Sequence, residues 1–320
     1  MGEEALVASN AAHRATFGGL AHADWMKVLV RSQRARVIDG VPMPAFPPVG
    51  YQVATHGRSG RGALDEAGRF VAEVDRRAAH AGRPIDAGTR VLDFGCGWGR
   101  MLRVFLARVD SHNLHGVDVR EDSVTLARQL NPFAQFATVG STPPLPFADG
   151  SFDLIVAYSV FSHLNEAVSR AWITEFARVT TPGGLVMVTT RGSGFIDFVA
   201  SLSTRALLWR VRLALGRSIG RPWNEAWLRT LQAGFKDLPA LQRQLAAGRF
   251  VHVPTGGGAT LDASFYGESV IPRGYVEREW TDFELVDFID DPRRLPQALI
   301  VLRKPLMPAV ATARCWQPAT

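Results

Sequence analysis

Val91-Leu92-Asp93-Phe94-Gly95-Cys96-Gly97-Trp98-Gly99-Arg100 places three glycines on the turn between a short apolar run and a helical stretch. Glycine there lets the backbone turn sharply and lets a ligand lie against main-chain atoms that a Cβ would shield. A glycine loop alone is a weak signal. Here a second acid, Asp118 in Gly116-Val117-Asp118-Val119, follows at about the 20-residue offset expected of a carboxylate that grips ribose hydroxyls. The pair predicts an adenosine-containing ligand. The spacing narrows the class further. A dinucleotide fingerprint wants a glycine three residues after its second, where this chain has Arg100, and no Gly-Lys-Ser or Gly-Lys-Thr follows as a phosphate loop requires.

Outward from this loop, short buried runs alternate with amphipathic ones. Arg90 to Phe94, Leu114 to Asp118, Phe136 to Val139, Phe152 to Tyr158 and Leu185 to Thr190 read as strands. Helical spacing fills Gly99 to Arg108, Glu121 to Leu130 and Asn165 to Val179, the last stopped by Pro182-Gly183-Gly184, and a helix over Gly62 to His80 leads in. Such alternation predicts right-handed parallel crossovers. With Phe283 to Ile289 and Ala298 to Val301 returning to the sheet, the expected fold is α/β, a doubly wound, mostly parallel seven-stranded sheet. Gly192 to Thr281 is too long for one crossover. Phe195, Phe198, Trp209, Trp223, Trp227 and Phe235 make it too aromatic for a floppy loop, so it reads as an inserted helical cap. The organisation expected is an N-terminal helical segment with a proline-rich arm (1–61), a cofactor-binding core (62–191), the cap (192–281), closing strands (282–305) and a poorly ordered tail (306–320).

Composition sets outer limits. The 320 residues are 47% apolar and 21% charged, which rules out disorder and collagen. No apolar run approaches the ~20 residues of a bilayer span. The opening Met1-Gly2-Glu3-Glu4 lacks the order of a secretory signal, and two cysteines, Cys96 and Cys315, support neither a disulfide framework nor a thiolate zinc site. A soluble, unprocessed protein of a reducing cytoplasm is expected, with no metal. The net charge of +6 comes from 33 Arg and 3 Lys against 30 acids. Arginine excess alongside abundant Ala and Gly reads as genome composition rather than a phosphate surface. Arg205, Arg210, Arg212, Arg217 and Arg221, interleaved with Leu207, Leu208, Val211 and Leu215, stand out as a stretch that could face an anionic substrate or a membrane surface, or be a solvated helix face.

The loop opened by Asp93, the acid Asp118, the segment Pro144 to Asp153 entering the fourth strand and Pro182-Gly183-Gly184 before the fifth together resemble the class I S-adenosylmethionine-dependent methyltransferases, which have a Rossmann-like sheet. Asp93 to Arg100 with Tyr158 to Leu164 is similar to the branch acting on small molecules or glycans. The resemblance implies S-adenosylmethionine as cofactor. Main chain around Phe94, Gly95, Gly97 and Gly99 would hold its methionine portion near Asp93, Asp118 would bind the ribose, and Val119 would pack beside adenine. Where the family often has an acid after the third strand, this chain has Gly140-Ser141-Thr142, so Ser141 and Thr142 are the candidates there, and Tyr158 would line the cofactor.

A hydroxyl acceptor must lose a proton, for which histidine is the usual tool. His163, past the fourth strand at the edge where doubly wound folds bind ligands, is the first candidate base, with a helix-start structural role as its alternative. His56 and His252 lie in segments expected to cover the site. An Asn-Pro-Pro-Tyr or Asp-Pro-Pro-Tyr box is missing, which argues against nucleobase or protein-amide methylation. No nucleic-acid module is present. The function expected is methyl transfer to a small-molecule or saccharide acceptor, at oxygen. A non-catalytic cofactor-binding subunit and a nicotinamide-dependent oxidoreductase are the alternatives.

Overall fold

A computed structural model describes residues 7–218, 224–257 and 261–306. Arg221, Trp223, Cys315 and the tail from 307 onward lie outside the described residues, as does the side chain of Arg217.

The chain opens with α1 (Ala11–Phe17), α2 (His22–Arg31), the two-residue strands β1 (Val37–Ile38) and β2 (Val41–Pro42), α3 (Val49–His56) and α4 (Gly60–His80). Then β3 (Val91–Phe94), α5 (Leu102–Phe105), β4 (Leu114–Asp118), α6 (Glu121–Leu130), β5 (Gln135–Thr138), β6 (Phe152–Ala157), α7 (Glu166–Val179) and β7 (Thr180–Thr190) follow. Next come α8 (Phe195–Thr204), α9 (Ala206–Ser218), α10 (Glu225–Gly234), α11 (Leu238–Ala246), the strands β8 (Val251–Pro254) and β9 (Gly267–Val270), and α12 (Arg273–Glu279). Strands β10 (Glu284–Ile289) and β11 (Ala298–Arg303) close the sheet.

Seven strands form one sheet in the order β10-β11-β7-β6-β3-β4-β5. β11 is antiparallel to both neighbours and the remaining pairs are parallel. The chain moves outward from β3 to β5 and then returns to β6 on the other side of β3, so a crevice opens at the carboxyl ends of the central strands. Period-two alternation divides the core. Val91, Val156 and Met187 face α4, with Phe70, Val71 and Val74 against them, while Leu92, Phe94, Ile155 and Val186 face Trp172, Ile173 and Phe176 of α7.

Local chemistry explains the helix boundaries. The Asn165 side chain accepts from Val168 N–H at 2.9 Å and caps α7, and Glu121 and Asp122 complement the amino end of α6. Two expectations need correction. The helix expected over Gly99 to Arg108 is only Leu102–Phe105 and is flanked by turns. Gly97 and Gly99 both have positive φ, and the Arg100 and Arg103 side chains are held inside by tertiary partners, so the chain completes the loop before it can wind a regular helix. Pro182-Gly183-Gly184 does not terminate α7 either. That helix ends at Val179, and the three residues lie within β7, whose register with β6 shifts between Phe152 and Leu154.

The inserted stretch holds helices α8 to α12 and, unexpectedly, the antiparallel pair β8 and β9. Main chain ties β9 onto the carboxyl edge of the sheet. Gly267 N–H donates to His163 O at 2.7 Å, Ser269 N–H to Ser162 O at 2.8 Å, and Arg191 N–H to Ser269 O at 3.1 Å. A Cβ on Gly267 would overlap the Val253 carbonyl, so this close crossing needs glycine.

Candidate functional site

The glycine loop is held by the strand beside it. Gly95 and Cys96 N–H both donate to Val117 O, at 2.8 and 3.0 Å, and Gly97 N–H donates to Asp118 Oδ2 at 2.8 Å. Gly95 has φ of +74°, and a Cβ there would overlap Val160. An L-residue would therefore meet both backbone strain and a side chain from the β6 end. The other oxygen of Asp118, Oδ1, accepts from Arg120 N–H at 2.9 Å, so each carboxylate oxygen retains acceptor capacity. Burial pushes the Asp118 pKa up, against the pull of these two N–H donors.

Asp93 and Phe94 are consecutive in a strand and so point to opposite faces. Phe94 turns its ring to Trp172 and Phe176, at 4.5 and 5.0 Å, which leaves its main chain for the loop. Asp93 is 1% exposed and its Oδ2 has no hydrogen-bond partner. Burial raises its pKa to about 7, with Arg100 opposing and Asp118 adding to the rise.

Arg100, at the third-glycine position of a dinucleotide loop, is 4% exposed and reaches Glu66 Oε2 at 2.7 Å and Ala63 O at 3.0 Å on α4. Its guanidinium lies 5.5 Å from the centroid of the Tyr158 ring, which packs on Phe70 at 4.9 Å. Tyr158 is thereby buried behind the loop, and burial raises its hydroxyl pKa. Trp98 belongs to packing: it is fully buried beside Phe46 and His56, with the Arg103 guanidinium 4.3 Å from its ring centroid. Cys96 is a buried, free thiol whose pKa burial and the two nearby carboxylates push well up, which disfavours the thiolate.

His56, on α3, covers Gly97, and its buried Nε2 has no partner. Burial lowers its pKa to about 3, so the ring is neutral at ordinary pH. Val119 is 37% exposed beside Asp118. Ser141 and Thr142 are exposed just past β5, whose end is tied back by Val139 N–H donating to Asp118 O at 3.0 Å. The Ser141 carbonyl accepts from Trp172 Nε1 at 3.2 Å.

His163 stands over the same edge. Its Nδ1 donates to Gly267 O at 2.8 Å, which fixes the tautomer and leaves the lone pair on Nε2. The ring stacks on Tyr266 at 4.7 Å and 5°. Glu268 Oε2 is 3.9 Å from Nδ1, accepts Arg191 Nε at 2.6 Å, and has its second oxygen bound by Trp227 Nε1 at 2.7 Å. Burial lowers the His163 pKa to about 4, partly offset by Glu268. His252 donates from Nδ1 to Ser269 Oγ at 2.8 Å, because that hydroxyl itself donates to Leu164 O, and its Nε2 is buried without a partner. Burial chiefly raises the Tyr266 hydroxyl pKa to about 12, with Glu268 and Asp118 adding to the rise and Arg191 and Arg120 opposing it.

Sequence reading missed Glu268, Arg191 and Tyr266. The available signal was the β-branched alternation Val251, Val253 and the run Ser269-Val270-Ile271, which mark a strand pair carrying charged and aromatic residues between them.

The buried, unpartnered carboxylate of Asp93 and the main-chain turn beside it suit an amino-acid ammonium, and Asp118 with spare acceptor capacity suits a ribose. The donor set thus fits S-adenosylmethionine. Among the described residues no group of three or more His, Cys, Asp or Glu is placed to hold a metal, and no helix is long and apolar enough to cross a membrane.

A family model described as a methyltransferase domain matches residues 91–184. The 2-methyl-6-phytyl-1,4-hydroquinone methyltransferase of Synechocystis sp. is 36% identical over 107 residues, 32% of each chain. The malonyl-[acyl-carrier protein] O-methyltransferase of Erwinia pyrifoliae is 33% identical over 190 residues, 58% of this chain and 60% of that one. A solved S-adenosylmethionine dependent methyltransferase from Mesorhizobium loti is 16% identical, covers 71% of this chain and 96% of that one, and superposes with a TM-score of 0.46. This chain thus spans less than two thirds of the length of the two curated relatives. Residues 91–184 thus match a methyltransferase domain and are similar in sequence to known methyltransferases.

Proposed function

We propose that the protein binds S-adenosylmethionine at the glycine loop and transfers its methyl group to a small-molecule acceptor, at oxygen. The observation that carries the reading is the Asp93–loop–Asp118 arrangement, with a buried carboxylate lacking a partner on one side and Gly97 N–H bound by the second carboxylate on the other. The bound sulfonium supplies an activated methyl. Asp93 and the main chain at Phe94, Gly95, Gly97 and Gly99 hold the amino-acid end, and Asp118 accepts from the ribose. Val119, Ser141 and Thr142 flank the base, and Tyr158 backs the loop. His163 takes the acceptor proton at Nε2, with Glu268 behind the ring to stabilise the imidazolium. Aligning the acceptor and excluding water are the protein's other tasks, and alignment alone is worth ~7–11 kcal/mol. The inserted segment 192–281, placed over the edge by β9, selects the acceptor. Support for a small, oxygen-bearing acceptor comes from the Erwinia relative's name as an O-methyltransferase and from the histidine cluster. A saccharide would meet the same requirements. A cytoplasmic setting accords with the buried free Cys96.

Titration calorimetry with S-adenosylmethionine tests this reading, and no heat from the folded protein rejects it. The pH dependence tests Asp93. A native pKa near 7 means the carboxyl is protonated below that value, so an ammonium-bearing ligand should bind about tenfold more weakly for each pH unit below 7. Asp93→Asn should flatten the dependence. The sign for the free protein is opposite. The raised native pKa costs stability as pH climbs from the unfolded carboxyl value through 7, because the native state then loses a proton it binds more tightly than the unfolded chain does.

A further inference from the structure

Helix α9 presents apolar residues on the side away from the fold. It packs through Trp209, 7% exposed, and partly buried Leu213, which join the cluster of Val199, Leu202 and Leu228. Leu207, Leu208, Val211 and Leu215 are 73%, 57%, 59% and 58% exposed. At 3.6 residues per turn these four fall in one arc of about 100°, roughly opposite the packed face. Arg212 borders the arc on one side and Arg210 on the other, and Arg205 immediately precedes the helix, all exposed. The helix contains no acid, and among the described residues no carboxylate lies within ion-pair distance of these three arginines. A solvated helix face would carry polar residues where this one carries leucines. Apolar centre and cationic borders are the arrangement of a helix lying in a lipid interface, its side chains entering the acyl boundary and its guanidiniums snorkelling to headgroup phosphates. We propose that α9 docks the protein on an anionic bilayer surface.

The position suits delivery of a lipophilic acceptor. Trp209 meets Phe198 with ring centroids 5.5 Å apart, Phe198 meets Trp227 at 6.1 Å, and Trp227 Nε1 binds Glu268, beside His163. A chain of side-chain contacts thus links the docking face to the proposed acceptor side.

Vesicle flotation of the full chain, without cofactor or acceptor, tests docking independently of the methyltransferase reading. Vesicles of phosphatidylcholine with about a third phosphatidylglycerol should carry the protein, and pure phosphatidylcholine should not. Arg205→Ala and Arg210→Ala should each weaken partitioning about fivefold, and salt raised to about 1 M should release the protein. Val211→Glu, at an exposed position that leaves the core intact, should abolish binding with an unchanged melting temperature. No flotation, or equal flotation on neutral vesicles, overturns the proposal. So does a concentration-dependent dimer that Val211→Glu dissolves in a protein that does not float, because the occupant of the face would then be a second copy.

Discussion

His163→Ala should lower turnover by about 10²–10⁴-fold while leaving the affinity for S-adenosylmethionine within about twofold, the scale of a lost general base. The expectation rests on one tautomer. The Nδ1 proton is committed to the Gly267 carbonyl at 2.8 Å, so the free lone pair is on Nε2, and the stacked Tyr266 ring at 4.7 Å holds the imidazole plane. Burial lowers the pKa to about 4, so the histidine is neutral and able to accept a proton throughout the neutral range. At saturating cofactor, where Asp93 protonation no longer limits binding, turnover should be flat from about pH 5 to 8 and fall as pH drops through 4.

The structural alternative predicts something different. The contacts that fasten β9 to the edge are main-chain ones, Gly267 N–H to His163 O and Ser269 N–H to Ser162 O, and they survive truncation of the side chain. His163→Asn keeps a donor for the Gly267 carbonyl and loses the base, so it should be folded and nearly as inactive as His163→Ala. Full activity in either variant would leave His163 a structural residue. Glu268 is a positioning residue. Glu268→Gln removes the charge that favours the imidazolium, so the acid limb of the profile should move to lower pH with cofactor affinity unchanged.

The sheet was legible because its strands are buried on both faces and read as apolar runs such as Val91-Leu92 and Val186 to Val188, interrupted by helices with ordinary start signals at Asn165 and Glu121. Asp118 was legible for the same reason as the loop: both lie at strand ends, where offset along the chain maps onto distance across neighbouring parallel strands. The length of α5 was not. Apolar spacing favoured a helix from Gly99, but the loop's left-handed glycines and the tertiary pairing of Arg100 with Glu66, 34 residues away, decided otherwise. Glu268 was out of reach for a related reason. A carboxylate in a long insertion gains meaning only when folding places it beside His163, Arg191 and Trp227, from three other segments.

Asp118→Ala should weaken S-adenosylmethionine binding by about 10–150-fold, the equivalent of roughly 1.5–3 kcal/mol for charge-assisted hydrogen bonds. Asp118 does two things at once. Its oxygens hold Gly97 N–H and Arg120 N–H, at 2.8 and 2.9 Å, and keep spare lone pairs for the proposed ribose hydroxyls. The variant therefore loses the ribose acceptor and releases the loop. Ligand fragments separate the contributions. Methylthioadenosine, which keeps the ribose but lacks the amino-acid end, should lose as much affinity in Asp118→Ala as the whole cofactor does, and should be indifferent to Asp93→Asn. Asp118→Asn offers one carbonyl oxygen and turns its amide hydrogens toward the second N–H, so one donor is left facing another. Its affinity should lie close to that of the alanine variant rather than the wild type. Equal binding of methylthioadenosine to wild type and Asp118→Ala would remove the ribose from this carboxylate. The aspartate would then be a clamp on its own glycine loop, and the adenosine would have to be held by the exposed hydroxyls of Ser141 and Thr142 instead.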